Sequence, residues 1–229
     1  MKYVMLFLGV LAGIPLIWRQ REPLGLKKPW QVLLLCLGFS AGSTLSAMLF
    51  ASLEGLLSGN GFRFGAISTY GVYFFAPPAV YFAAKAAKRD GWRWVDMFAV
   101  YAPPSLFLMR INCLASGCCG GSPIGSTGFH WPTRQAEMIF YAIMFLVLLR
   151  REKAGARIGT AFPLLAGAYG AFRFIEEWFR DYSLGALIHM AHIWSLMALI
   201  IGFGLYFELA SSDGGFNTTA ARPKKERSR

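Results

Sequence analysis

Apolar residues fill long stretches of this chain, and short polar stretches separate them. A hydrocarbon core about 30 Å thick needs around 20 apolar residues per crossing helix. Seven runs approach that length: Tyr3–Trp18, Trp30–Leu57, Ala66–Ala86, Val95–Ala115, Ala136–Leu149, Ile158–Phe179 and Leu184–Phe207, the first and fifth being short. The pattern predicts an all-α fold: a polytopic membrane protein of about seven transmembrane helices, forming a single helical domain over residues 1–210. Residues 211–229 are polar and rich in Gly, Lys and Arg, the composition of a disordered basic tail. With 55% hydrophobic residues in 229, no stretch is left over for a soluble domain of useful size, and no internal repeat is evident.

Charge changes the picture only once it is placed. A net charge of +11 suggests a nucleic-acid binder. Most of the 23 Lys and Arg, however, fall in four clusters: Arg19 to Lys28, Lys85 to Arg93, Arg150 to Arg157, and Arg222 to Arg229. These follow runs one, three, five and seven, so they share one side of the membrane. Positive charge collects on the cytoplasmic side, which places the N-terminus outside and the C-terminus in the cytoplasm. Anionic lipid is then the expected contact of the tail, and no nucleic acid is expected. Trp18, Trp30, Trp92 and Trp94 fall at the inner boundary, and Trp131, Trp178 and Trp194 near the outer one, as an aromatic belt requires. In the first run the charges follow the apolar residues, so it reads as a retained helix rather than a signal peptide.

The remaining charges carry the chemistry. A charge at the bilayer centre costs roughly 3 kcal/mol, which makes an intramembrane ionisable group a functional candidate. Tyr169, Arg173, Glu177 and Arg180 are spaced i, i+4, i+8 and i+11, along one predicted helical face. Arg110 lies in the outer part of run four, Glu137 opens run five, and His189 and His192 lie in the outer part of run seven. Several separate segments therefore bring polar groups to one depth near the outer leaflet. Two readings are open: ion pairs that lock helices together, or an anion site. Guanidinium offers permanent charge and bidentate contacts suited to phosphate, and phosphate at this depth is a lipid headgroup.

These residues stand in motifs that resemble the prolipoprotein diacylglyceryl transferase family. Tyr169-Gly170-x-Phe172-Arg173-Phe174-x-x-Glu177-x-x-Arg180 resembles its Y-G-x-F-R-F-x-x-E-F-x-R element. Met109–Gly121 stands where the family carries G-R-I-G-N-F-x-N-G-E-x-x-G, with Arg110 on the arginine. Pro132-Thr133-x-x-x-Glu137 is similar to P-[ST]-Q-L-Y-E, and Met190 to Ser195 resembles a M-G-Q-x-x-S stretch. Ser68-Thr69-Tyr70-Gly71 occupies the place of a [SA]-[FI]-[HY]-G-G element. Together these pieces cover roughly Ala66 to Leu196.

The resemblance implies a reaction, the transfer of the diacylglyceryl group of phosphatidylglycerol to the thiol of a lipobox cysteine in a prolipoprotein. It also implies a bacterial cytoplasmic (inner) membrane setting, with the site toward the outer leaflet. On this reading Arg110 and Arg173 hold the leaving phosphate, while Glu137 and Glu177 orient those arginines. Tyr70 takes a position where many members place a histidine. Tyr169, Arg180, Arg134, His192, Gly117 and Gly121 are the candidate substrate contacts. Phosphatidylglycerol and the prolipoprotein signal peptide are the expected partners. No cofactor and no metal is expected. The alternatives are a non-catalytic phospholipid-binding or transport protein on the same scaffold, and an ion-conducting channel.

The chain departs from the family's pattern at several positions. Two asparagines and a glutamate of the run-four motif align with Cys113, Ser116 and Cys118, and two glutamines elsewhere align with Arg134 and His192. Cys36 reads as a small buried residue. For Cys113, Cys118 and Cys119 three readings stand: a zinc set with His130, although C-x4-C-C is not a standard ligand spacing; a disulfide from Cys113 to Cys118 or Cys119; or small residues packing a Gly-rich turn.

Overall fold

The computed structural model describes residues 2–59, 61–62, 65–181 and 189–211. Most of the tail and the start of the seventh run at Leu184 lie outside the described residues. The helices in chain order are α1 (Lys2–Arg19), α2 (Pro29–Leu57), α3 (Tyr70–Phe74), α4 (Ala76–Ala86), α5 (Gly91–Ser116), α6 (Thr133–Lys153), α7 (Ala161–Glu176) and α8 (Met190–Ser211), with a 3₁₀ turn at Glu177–Phe179. The all-α expectation holds: among the described residues the only extended pairings are two isolated bridges. Ser211, read as the first residue of the tail, instead closes α8.

The third apolar run corrects the sequence reading, because it is not one helix. Ala66 to Thr69 are not helical, and the rest divides at Phe75 into α3 and α4. Pro77 and Pro78 explain the break. Neither has an N–H to continue the ladder from α3, yet both suit the first turn of a new helix. Among the described residues three helices, α2, α5 and α8, are long and apolar enough to cross a membrane. Their outward faces fit lipid. Leu33, Leu34, Leu37, Leu45 and Leu49 on α2, and Ile193, Leu196, Ile200 and Ile201 on α8, are exposed. An apolar patch of that extent is foreign to a water-facing surface.

Helices α7 and α8 approach closely. A Cβ on Gly202 would strike the backbone of Gly167, and one on Gly170 would strike Leu199 and the Ser195 carbonyl. Small residues at these crossings let the two backbones approach, the usual means of helix association in lipid. Aromatic residues join the other helices: Phe39 of α2 lies 5.3 Å from Phe98 of α5, and Phe98 lies 6.1 Å from Phe162 of α7.

The bundle has two chemically different ends. At one, Arg19 pairs with Glu152 at 2.8 Å and Arg157 Nη1 donates to the Ala210 carbonyl at 3.1 Å. At the same end, Asp96 of α5 accepts from the amides of Gly159 and Ala161 at 2.6 and 3.0 Å, which tethers the start of α7. The described basic clusters therefore gather at one end, as their spacing predicted. The opposite end holds the C-termini of α5 and α7 and the N-termini of α3, α6 and α8, and there the candidate site assembles.

Candidate active site

Glu137 sits in the first turns of α6, fully buried, and is the hub of this end. Its Oε2 pairs with Arg110 Nε from α5, and its Oε1 pairs with Arg173 Nη1 from α7. Arg180 Nη2 approaches the same Oε1 at 3.4 Å. Arg173 also pairs with Glu176 and Glu177 of its own segment, and Arg180 Nε lies 3.7 Å from Glu176. Segments far apart in sequence thus meet in one cluster, in which three guanidinium groups face three carboxylates. Buried charges persist only when paired in this way.

The one-face expectation for Tyr169 to Arg180 holds only in part. Tyr169 and Arg173 lie on α7, and Glu177 opens the 3₁₀ turn. Arg180 has already left the helix in extended conformation, because the Ser122 amide captures the Phe179 carbonyl at 2.9 Å and Gly121 pairs with Arg180. Its guanidinium still turns back into the cluster.

The arginines are not equivalent. Arg173 is buried and its guanidinium is occupied by carboxylates. Arg110 binds Glu137 through Nε, which leaves its Nη edge with two long contacts, Thr69 Oγ1 at 3.4 Å and Cys113 Sγ at 3.9 Å. Such contacts are weak, so that edge is available to an anion. Arg134 has no carboxylate partner among the described residues; its Nη1 donates to the Cys113 carbonyl at 3.4 Å. It adds positive charge to a cluster otherwise balanced.

Other candidates take definite places. The Tyr70 hydroxyl donates to the Ala191 carbonyl at 2.8 Å and lies 2.7 Å from Ser195 Oγ, tying α3 to α8. Tyr169 is buried in a tyrosine stack, 4.0 Å from Tyr73 and 6.3 Å from Tyr141 between ring centres. His192 packs 4.8 Å from Trp178, its Nδ1 accepts from the His189 amide at 3.2 Å, and its Nε2 has no partner among the described residues. Gly117 is the left-handed C-cap of α5, with φ 72°. Gly121 is buried where a Cβ would strike the Trp131 carbonyl. The structure thus gives Gly117 a conformational reason and Gly121 a steric one.

Three residues missing from the sequence-based site belong to it geometrically. Glu176 accepts from Arg173, and Tyr73 and Tyr141 flank Tyr169. Their spacing was a usable signal, since Tyr73 follows Tyr70 by three positions and Tyr141 follows Glu137 by four. From Tyr73 an apolar cleft of about 460 Å³ runs between α3–α4 and α7–α8, past Phe74, Phe162 and Ile201.

The three cysteines also converge. All are free thiols, and the sulfurs of Cys113, Cys118 and Cys119 lie within 4.8 Å of one another. Hydrogen bonding from Cys113, opposed by burial and reinforced by Arg180 and Arg110, holds the Cys119 thiol below the ordinary thiol range. His130 is not part of this group and pairs instead with Pro123 in a short hairpin.

The family model for prolipoprotein diacylglyceryl transferase matches residues 3–208. The chain belongs to that family. The match extends well beyond the motifs, from α1 to the last turns of α8, and so includes every member of the arginine–carboxylate cluster. A phosphatidylglycerol–prolipoprotein diacylglyceryl transferase of Hydrogenovibrio crunogenus is 31% identical over 130 residues, 48% of this chain and 49% of that protein. The alignment thus spans about half the length of this curated relative.

Proposed function

We propose that the protein transfers the diacylglyceryl group of phosphatidylglycerol to the thiol of a prolipoprotein lipobox cysteine. The observation that carries the reading is the binding of Arg110 and Arg173 to opposite oxygens of one buried carboxylate, Glu137. In this role Glu137 aims Arg110 so that its open Nη edge meets the lipid phosphate. Arg173, held by three carboxylates, sets the position of Glu137. Arg134 and Arg180 supply further positive charge at the rim, and the apolar cleft beside Tyr73 suits an acyl chain.

The chemistry follows from these roles. The acceptor thiol loses its proton, because the thiolate is the nucleophile. Its sulfur forms a bond to the terminal glyceryl carbon as that carbon's bond to the phosphate oxygen breaks. The electron pair leaves with glycerol phosphate, whose growing negative charge the arginines stabilise. Tyr70 acts as a positioning residue between α3 and α8; His192, whose Nδ1 accepts from the His189 amide, carries its ring proton on Nε2 and is a donor there, so the thiol proton leaves to solvent. In the membrane we place the arginine end at the outer leaflet of the bacterial cytoplasmic membrane, with seven crossings and the basic end inside.

The test mixes purified protein with phosphatidylglycerol and a cysteine-bearing lipobox peptide and reads thioether product by mass spectrometry. Product is expected from the native chain, and none from Arg110→Ala or Arg173→Ala although both still insert. Full activity in both variants would overturn the assignment. Phospholipid binding without product would favour the non-catalytic reading, which the balanced ion pairs around Arg173 also accommodate.

A further inference from the structure

The thiols of Cys113, Cys118 and Cys119 are not used by the reaction as described. Cys113 sits in the last turn of α5, three residues after Arg110. The chain then reverses through two left-handed residues, Gly117 at φ 72° and Cys119 at φ 57°. Left-handed conformation is uncommon for a residue with a Cβ, and such strain gathers at functional sites. Here it folds Cys118 and Cys119 back onto Cys113, so that all three sulfurs lie within 4.8 Å of one another. A tetrahedral ion with metal–sulfur bonds of about 2.3 Å needs only a small inward movement of these side chains.

The surroundings suit thiolate ligands. Ser116 Oγ lies 3.3 Å from Cys118 Sγ, and Arg110 Nη1 lies 3.9 Å from Cys113 Sγ. Thr133 Oγ1 donates to the Cys119 carbonyl at 3.3 Å, and Arg134 Nη1 donates to the Cys113 carbonyl at 3.4 Å. Donors beside coordinating sulfurs, and fixed backbone around them, are what hold metal ligands in place. Three thiolates and one divalent ion carry a net negative charge, which Arg110 and Arg134 offset.

We infer that Cys113, Cys118 and Cys119 form a site for a thiophilic cation of the Zn(II) class, with the fourth coordination position free for the acceptor thiol. The first half stands on the thiol geometry alone; the second rests on the transfer reading above. Cys118 and Cys119 are exposed, so a fourth ligand can arrive from outside. A metal-held thiol is deprotonated without a separate strong base. The bonds made and broken remain those of the transfer, with the thiol proton released to solvent.

Cobalt(II) is the probe. One equivalent added to the reduced, detergent-solubilised full chain should produce thiolate-to-cobalt charge-transfer absorption, and zinc should displace it at one ion per chain. The absorption should vanish in Cys118→Ser and in Cys119→Ser, and persist in Cys36→Ser, whose thiol lies in the core. Unchanged melting curves confirm that the variants fold. No absorption in the native chain, or full absorption in Cys118→Ser and Cys119→Ser, overturns the metal site. A cysteine-bearing lipobox peptide, added without phospholipid, should shift the cobalt spectrum, and its serine analogue should not. An unmoved spectrum overturns the acceptor role. A shift with cobalt bound, but no thioether product once phosphatidylglycerol is supplied, supports this site and overturns the transfer reading instead.

Discussion

Arg110 and Arg173 are joined through a single carboxylate. Nε of the first binds Glu137 Oε2 and Nη1 of the second binds Glu137 Oε1, although the arginines belong to α5 and α7 and the glutamate to α6. One fully buried side chain thereby fixes the relative depth of three helices.

That arrangement gives Arg173 a structural role beside the one proposed for it. Removing one partner of a buried ion-pair set leaves charges uncompensated, at a cost of about 3–5 kcal/mol. Arg173→Met leaves Glu137, Glu176 and Glu177 without their shared cation. It is expected to lower the melting temperature of the detergent-solubilised protein clearly, besides removing transfer. A melting temperature equal to that of the native chain would show that the cluster is not the lock inferred from it.

Arg110 is expected to behave differently. Arg110→Lys keeps the charge, but a lysine ammonium cannot engage Glu137 and present a forked edge together. The expected result is a fall in kcat of roughly 100-fold, with a much smaller change in melting temperature than for Arg173→Met. Steady-state kinetics and melting of the two variants side by side check the division of labour.

Tyr70→Phe tests whether that hydroxyl is a tether or a base. A tether bonded to Ala191 and Ser195 contributes about 1 kcal/mol, so transfer should fall modestly and the shape of its pH profile should not change. Loss of activity comparable to that of Arg110→Ala would return Tyr70 to the catalytic role that its place in the motif suggested.

The α7–α8 crossing admits no side chain at Gly202. Gly202→Leu should separate the helices and cost about 1–3 kcal/mol through overpacking, read as a lower melting temperature. Gly204, which meets open space, should accept the same substitution.

Orientation is open to a direct check. A membrane-impermeant maleimide should label Cys118 in intact cells. A cysteine placed at the exposed Lys27, in a chain with Cys113, Cys118 and Cys119 replaced by serine, should react only after permeabilisation. Labelling of Lys27→Cys in intact cells would reverse the proposed topology.

Much of this protein is legible in its sequence, and the exceptions have identifiable physical causes. Arg110, Glu137 and Arg173 stood out because each lies in or beside an apolar run where a lone charge is costly. The division of the third run into α3 and α4 was signalled by Pro77 and Pro78, but the apolar character of the surrounding residues concealed it. Glu177 stands in the family motif and Glu176 does not, although on an ideal helix positions three and four residues on both share the face of Arg173. In the structure that face ends at Glu176, and Arg173 reaches both carboxylates.

The sequence by itself determined an all-α, lipid-compatible chain, the gathering of its described basic clusters at one end and the identity of its unusual charges. These follow from the transfer free energies of single residues, which add along a chain. Which carboxylate meets which guanidinium was decided only by the tertiary structure, as were the exit of Arg180 from its helix and the return of Cys118 and Cys119 onto Cys113. Each depends on distances between side chains that helix crossings and two left-handed residues set, and a linear pattern carries no such distances.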